Sequence, residues 1–153
     1  MRHFLKTPLL LLLLSLSSCT QSESGTLSSK KEISIIPSTS ERSYDEVKDK
    51  KIHYEDIFSL ERYSYYVYFY SLTCSHCISL KEFIITQAIK RGDIYFVEAC
   101  SEVVIIENVD KTIGLTSVEG LGIKGYPSII QIEDFTLVKN LAGVPLIKSE
   151  LTN

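Results

Sequence analysis

The sequence has no cluster of lysine and arginine interleaved with aromatic residues, and its net charge is −3. That leaves no electrostatic footprint for a phosphate backbone, so nucleic acid is not an expected partner. No internal repeat is present, which argues against a solenoid. The longest apolar run, Leu9 to Leu14 with Leu16 beyond it, is far short of the roughly 20 residues a bilayer-spanning helix needs. Cysteine is sparse, at four residues, histidine is limited to three, and there is no second C-x-x-C.

What is present reads as an ordinary globular composition, 44% hydrophobic and 23% charged over 153 residues. This is enough for one domain with a core of its own. The N-terminus has the form of an export signal. Arg2, His3 and Lys6 precede the apolar run, which stops at Leu16-Ser17-Ser18-Cys19. That ending resembles the lipobox of bacterial lipoproteins, in which the cysteine is lipidated and becomes the new N-terminus. Residues 1–18 are accordingly expected to be a lipoprotein signal peptide and Cys19 the lipidation site. The alternative is a secreted protein in which Cys19 is incidental. Either way the mature chain is expected outside the cytoplasm, and the first reading ties it to the cell membrane through a lipid anchor.

Residues 19–50 are expected to be a flexible tether. "TQSESGTLSSKKE", Thr20 to Glu32, is too polar to bury a core, and Pro37 with the polar residues after it extends the linker reading. The folded domain is expected over residues 51–153. There "KIHY" suggests a short strand and "YEDIFSLER" a short helix that buries Ile57, Phe58 and Leu60. "YSYYVYFYS" is aromatic and β-branched without clean alternation, the pattern of a central strand covered on both faces. "ISLKEFIITQAIKRG" carries Leu80, Phe83, Ile84 and Ala88 at helical spacing, with Gly92 as a stop. "DIYFVEA" suggests a strand, "SEVVIIENVDKTIGLT" is ambiguous, and "TSVEGLGI" suggests a short helix capped by Thr116 or Ser117. "YPSIIQIED" and "TLVKNLAG" pattern as an antiparallel pair, and "PLIKSELTN" as a closing helix with Pro145 in its first turn. Alternating strands and helices imply an α/β mixed central sheet with helices on both faces.

The chemistry sits in "CSHC", Cys74 to Cys77, where the central strand ends and a helix begins. Such a pair serves redox exchange, holds a metal, or acts as a staple. A staple here is weak, since closing a four-residue loop contributes only about 1.9 kcal/mol in the loop-entropy model. A tetrahedral zinc site needs two more donors, and only Cys100, His53 and His76 remain once His3 leaves with the signal. Redox exchange fits best, and no metal or other cofactor is expected, because the electrons reside in the cysteine pair. The thiolate is the nucleophile, yet an ordinary cysteine is only about 3% ionised at pH 7. The N-terminus of a helix favours the anion, which casts Cys74 as the attacking sulfur and Cys77, one turn further in, as the resolving one. An imidazolium at His76 would stabilise the thiolate and make the disulfide more oxidising. With Cys19 lipidated, three cysteines remain, so one is unpaired. Cys100, at the end of a strand, is expected to be a packing thiol.

At this point the chain resembles the thioredoxin superfamily. "CSHC" follows an apolar strand, "GYPS" (Gly125 to Ser128) opens a later one, and a hairpin leads to Gly143 before the last helix. The resemblance implies a thioredoxin-like fold over residues 51–153, a cis-proline at Pro127 beside the cysteines, and peptide contacts from the Tyr126 backbone. His76 is shared with the "CPHC" of oxidising members. Three features depart from the family pattern, one being a chain between Cys77 and the proline loop somewhat longer than in a minimal thioredoxin. The usual tryptophan before the pair is missing, with Leu72-Thr73 in its place, and the position six residues before the first cysteine, often a buried acid, is Tyr68. The expected function is a membrane-anchored, extracytoplasmic thiol–disulfide oxidoreductase with catalytic Cys74, Cys77 and His76. Its expected partners are protein dithiol or disulfide substrates and a redox recycling partner. The alternative is a non-catalytic binding module of the same fold, with an inert disulfide or a weak metal site.

Overall fold

A computed structural model describes residues 41–153 of the chain. The expected signal peptide at 1–18, Cys19, and the tether up to residue 40 lie outside the described residues. Strands β1 (Ser64–Tyr70), β2 (Ile94–Glu98), β5 (Ser128–Glu133) and β6 (Thr136–Ala142) form one mixed sheet in the order β2-β1-β5-β6. Strand β1 runs parallel to β2, with Tyr66 opposite Ile94, and antiparallel to β5, with Val67 opposite Ile130. Strands β5 and β6 form the antiparallel hairpin expected from their pattern. Two short strands, β3 (Val104–Ile105) and β4 (Gly122–Ile123), pair in parallel on their own. The α-helices are α1 (Ser75–Arg91) and α2 (Val144–Thr152). This is the thioredoxin-like α/β arrangement that the sequence implied.

Strand β1 shows why its sequence does not alternate. Tyr66, Tyr68 and Tyr70 face a core that contains α1, α2 and the segment Tyr44–Lys50. Tyr65, Val67 and Phe69 face a second core with Ile57, Phe58, Leu121 and Ile123. Both sides are buried, so both parities are apolar or aromatic. The two α-helices lie on the first face. The second is covered by 3₁₀ turns and the small β3–β4 sheet rather than by α-helix.

Helix α1 buries Cys77, Leu80, Ile84, Ile85 and Ala88 along one stripe. Full burial of a leucine or isoleucine contributes about 1.5–3 kcal/mol, so truncating Leu80 to alanine removes roughly 2–5 kcal/mol. The helix ends at Gly92, whose φ of 78° gives the left-handed cap that a glycine adopts without a Cβ penalty. At the other end of the domain, Pro145 sits in the first turn of α2, where its missing N–H costs nothing.

Four expectations need correction. The domain does not begin at Lys51, because residues 44–50 form a 3₁₀ helix that buries Tyr44 and Val47, so the linker reading does not extend to residue 50. Ser43 opens this helix with a capping box, accepting from the Asp45 backbone while Glu46 accepts from the Ser43 N–H. "KIHY" contributes only a single bridge, Lys51 to Phe96, and "YEDIFSLER" only a 3₁₀ turn at Tyr54–Asp56. "TSVEGLGI" is not helical. Gly120 takes a φ of 79°, and Gly122 enters β4 where a Cβ would collide with Ile106 at 2.8 Å.

Candidate active site

The site grows out of the end of the central strand. After Tyr70 the chain turns through Ser71, Leu72 and Thr73, and Cys74 becomes the N-cap of α1 with extended backbone angles. Its sulfur takes the place usually filled by a serine or aspartate oxygen, accepting from the Cys77 backbone N–H at 3.4 Å. The Cys74 thiol also donates to the carbonyl oxygen of Tyr126 at 3.3 Å. It is half-buried, whereas Cys77 is 1% exposed. Both are free thiols here, as is Cys100.

The loop ahead of β5 supplies the opposite wall. The Tyr126–Pro127 peptide is cis. Ser128 closes the loop by donating its hydroxyl to Gly125 at 2.6 Å, and the Gly143 N–H donates to the Pro127 carbonyl at 2.9 Å. The second bond ties the loop to the start of α2. Sequence positions 74–77 and 126–127 thus meet in space.

His76 lies exposed on the first turn of α1. Its backbone carbonyl accepts from the Ser79 hydroxyl at 2.9 Å, and among the described residues no hydrogen bond joins its imidazole to either sulfur. Cys100 departs from the expected packing role. It is exposed and follows β2, at the same end of the sheet as the pair that follows β1, since the two strands run parallel. No group of three or more His, Cys, Asp or Glu side chains gathers as a metal site among the described residues.

Burial dominates the electrostatics. It pushes the Cys77 thiol up to about 12, with Cys74 adding in the same direction, while the Ser71 backbone and the Tyr68 hydroxyl act in the opposite sense. Cys77 is therefore a protonated thiol at neutral pH, and its ionised form is stabilised only by local hydrogen bonding. Beside it lies a surface cavity of about 370 Å³ whose lining includes Ser71, Leu72, Tyr44, Ile78 and Cys77. Tyr44 is the residue that sequence reading missed, and the Ser43-x-x-Glu46 capping box is the signal that marks it.

No family model matches the chain, and no curated protein matches it. Among solved structures, it is similar to thioredoxin from Plasmodium falciparum at 16% identity and a TM-score of 0.47, covering 67% of this chain and 96% of that one. It is similar to mitochondrial thioredoxin 3 from Saccharomyces cerevisiae, in the oxidized form, at 14% identity and 0.45, covering 66% and 90%. Chlamydomonas reinhardtii thioredoxin f2 gives 18% and 0.43, covering 67% and 90%. By its own topology the chain has a thioredoxin-like α/β fold, with a C-x-x-C pair at the end of its central strand.

Proposed function

We propose that this protein is a thiol–disulfide oxidoreductase acting on protein disulfides, with Cys74 as the attacking sulfur and Cys77 as the resolving one. The observation that carries this reading is the asymmetry of the pair. One sulfur is half-buried at the tip of a helix, accepting a backbone N–H, and the other is sealed one turn below it. In the reducing direction the Cys74 thiolate attacks a substrate disulfide, forming a mixed disulfide and releasing one substrate thiolate. Cys77 then attacks Cys74, forming the Cys74–Cys77 bond and releasing the second substrate sulfur with its electron pair. The oxidising direction is the reverse. The loop at Tyr126 and Pro127, where Tyr126 is half-buried beside Cys74, is assigned to hold the incoming peptide, and His76 to tune the potential.

The sequence supports placing this activity outside the cytoplasm, on a lipid anchor at Cys19. A recycling partner that restores the starting redox state is required by mass balance. A cysteine-dependent exchange assay with a peptide disulfide tests the proposal. Activity should vanish in Cys74→Ser, and Cys77→Ser should accumulate the mixed disulfide. Unchanged activity in Cys74→Ser would rule the mechanism out.

One observation favours the second reading, a binding module with an inert disulfide. Among the described residues no carboxylate hydrogen-bonds to Cys77, and burial pushes its thiol up. A disulfide that resists glutathione would support that alternative.

A further inference from the structure

Four tyrosines of β1 are buried, and three of them satisfy their hydroxyls. Tyr65 donates to the Ile57 carbonyl at 2.7 Å, Tyr66 to Glu150 at 2.8 Å, and Tyr70 to Glu98 at 3.0 Å. The fourth, Tyr68, is 0% exposed and, although the Cys77 sulfur is near enough to act on it, its hydroxyl makes no hydrogen bond of ordinary geometry among the described residues. The Tyr44 hydroxyl, also buried, makes none among the described residues either. Buried polar groups in native proteins are nearly always paired, so two orphans in one cluster call for an explanation. They share that cluster with Cys77. The polar neighbours acting on Tyr68 are the Tyr44 hydroxyl and the Cys77 sulfur.

The surrounding carboxylates are already committed. Glu98 accepts from Tyr70, Asp45 from Ser43 at 3.1 Å, and Glu41 from Lys81 at 2.7 Å. Lys51 stands over the Tyr70 ring, 6.0 Å from its centroid. The other titratable groups acting on this cluster are Cys74, at the head of α1, and the phenols themselves. Tyr126, before β5, is a further phenol influenced by Cys77. Burial first, then Tyr44 and Cys77, hold Tyr68 far above an ordinary phenol, so it stays a neutral donor and cannot act as a base.

We propose that Tyr68 is the hydrogen-bond donor to the Cys77 thiolate in the resolving step, with Tyr44 donating to Tyr68 behind it. The inference rests on the redox reading of the pair. When Cys77 loses its proton, the proton passes to water in the cavity that both Cys77 and Tyr44 line. The Tyr68 O–H then turns to the anionic sulfur, and the Tyr44 O–H fills the lone pair that Tyr68 exposes. The thiolate attacks Cys74 of the mixed disulfide, the Cys74–Cys77 bond forms, and the electron pair leaves on the substrate sulfur. The orphan hydroxyls of the dithiol form are thus donors held ready for a charge that exists only in passing.

The test uses a Cys100→Ser background and the aromatic disulfide of thionitrobenzoate. Release of the second thionitrobenzoate anion reports attack by Cys77 on the Cys74 adduct. Tyr68→Phe should slow that release about tenfold and shift its pH profile upward by about one unit, since one unit is a tenfold change in thiolate fraction. The first release, at Cys74, should stay within about twofold of the parent. The thermal midpoint of reduced Tyr68→Phe should not fall, because the removed hydroxyl is unsatisfied. Tyr44→Phe should slow the second release by about two- to threefold, and it decides the matter should Tyr68→Phe fail to fold. A parent that never releases the second anion would overturn the redox reading itself. A parent that releases it, with both phenylalanine variants matching its rate and pH profile, would overturn only the role given to Tyr68.

Discussion

The Cys74 sulfur lies 3.3 Å from the carbonyl oxygen of Tyr126, although 52 positions separate the two in the chain. With the Cys77 N–H on its other side, the sulfur is held between the head of α1 and the loop ahead of β5 while remaining half-buried. The first prediction is one of selectivity. In the reduced protein at pH 7, iodoacetamide should label Cys74 and the exposed Cys100, with Cys77 slower than Cys74 by roughly two orders of magnitude or more. Mass spectrometry of timed samples measures this directly. Equal labelling of Cys74 and Cys77 would contradict the asymmetry on which the mechanism depends.

A second prediction concerns alkaline pH. Burial raises the Cys77 thiol from its ordinary value near 9 to about 12, and raises Tyr44, Tyr65 and Tyr66 from about 10 to about 12. Each group is harder to ionise in the folded state, so above its unfolded value the unfolded chain holds fewer protons than the native one. Stability should therefore be at full strength below about pH 9 and decline steadily between about pH 9 and 12. Closing the Cys74–Cys77 disulfide removes the Cys77 share and should leave a shallower decline that starts nearer pH 10. Denaturant unfolding at stepped pH provides the test, and a flat profile up to pH 11 would count against it.

His76 gives a third. If its imidazolium favours the dithiol, His76→Ala should stabilise the disulfide and lower the reduction potential of the pair by up to about 30 mV, the equivalent of a tenfold shift. Equilibration with glutathione measures this. An unchanged potential would mean that His76 is simply a solvated residue of the first turn.

The fourth prediction tests the corrected domain boundary. Tyr44 stacks on Tyr70 with ring centroids 4.1 Å apart and meets Phe96 edge-on at 6.0 Å. Tyr44→Ala should cost about 3–5 kcal/mol, the range for emptying an aromatic site in a core. A residue in a tether would cost nothing, so a substitution without effect on unfolding would restore the boundary to Lys51.

Much of the fold was legible because two strong periodicities survive in the sequence. The unbroken run of aromatic and β-branched residues at 65–70 could serve only a strand covered on both faces, and Leu80, Ile84 and Ala88 mark one face of a helix that must end at Gly92. Residues 44–50 were hidden because Pro37 and the polar residues after it read as linker, while only two side chains, Tyr44 and Val47, carry the burial. The failure at residues 116–123 came from weighing a cap signal above Gly120 and Gly122, whose backbone requirements decided that segment. At the site, "CSHC" and "GYPS" were visible as separate motifs, but the contact of Cys74 with Tyr126 is a product of sheet order, since β5 pairs with β1. Position 68 was noted only for the acid it lacks. Its partnership with Tyr44 depends on a segment the sequence did not assign to the domain.

The central claim is that Cys74 and Cys77 interconvert between dithiol and disulfide in protein exchange. Equilibration of the protein across a series of glutathione ratios, followed by trapping of free thiols and mass spectrometry, tests it most directly. The account predicts a single two-electron transition confined to Cys74 and Cys77, with a midpoint above about −300 mV and Cys100 still alkylated once the pair has closed. A pair that stays closed at every ratio, or an oxidised form that links Cys100 to either cysteine instead, would contradict it.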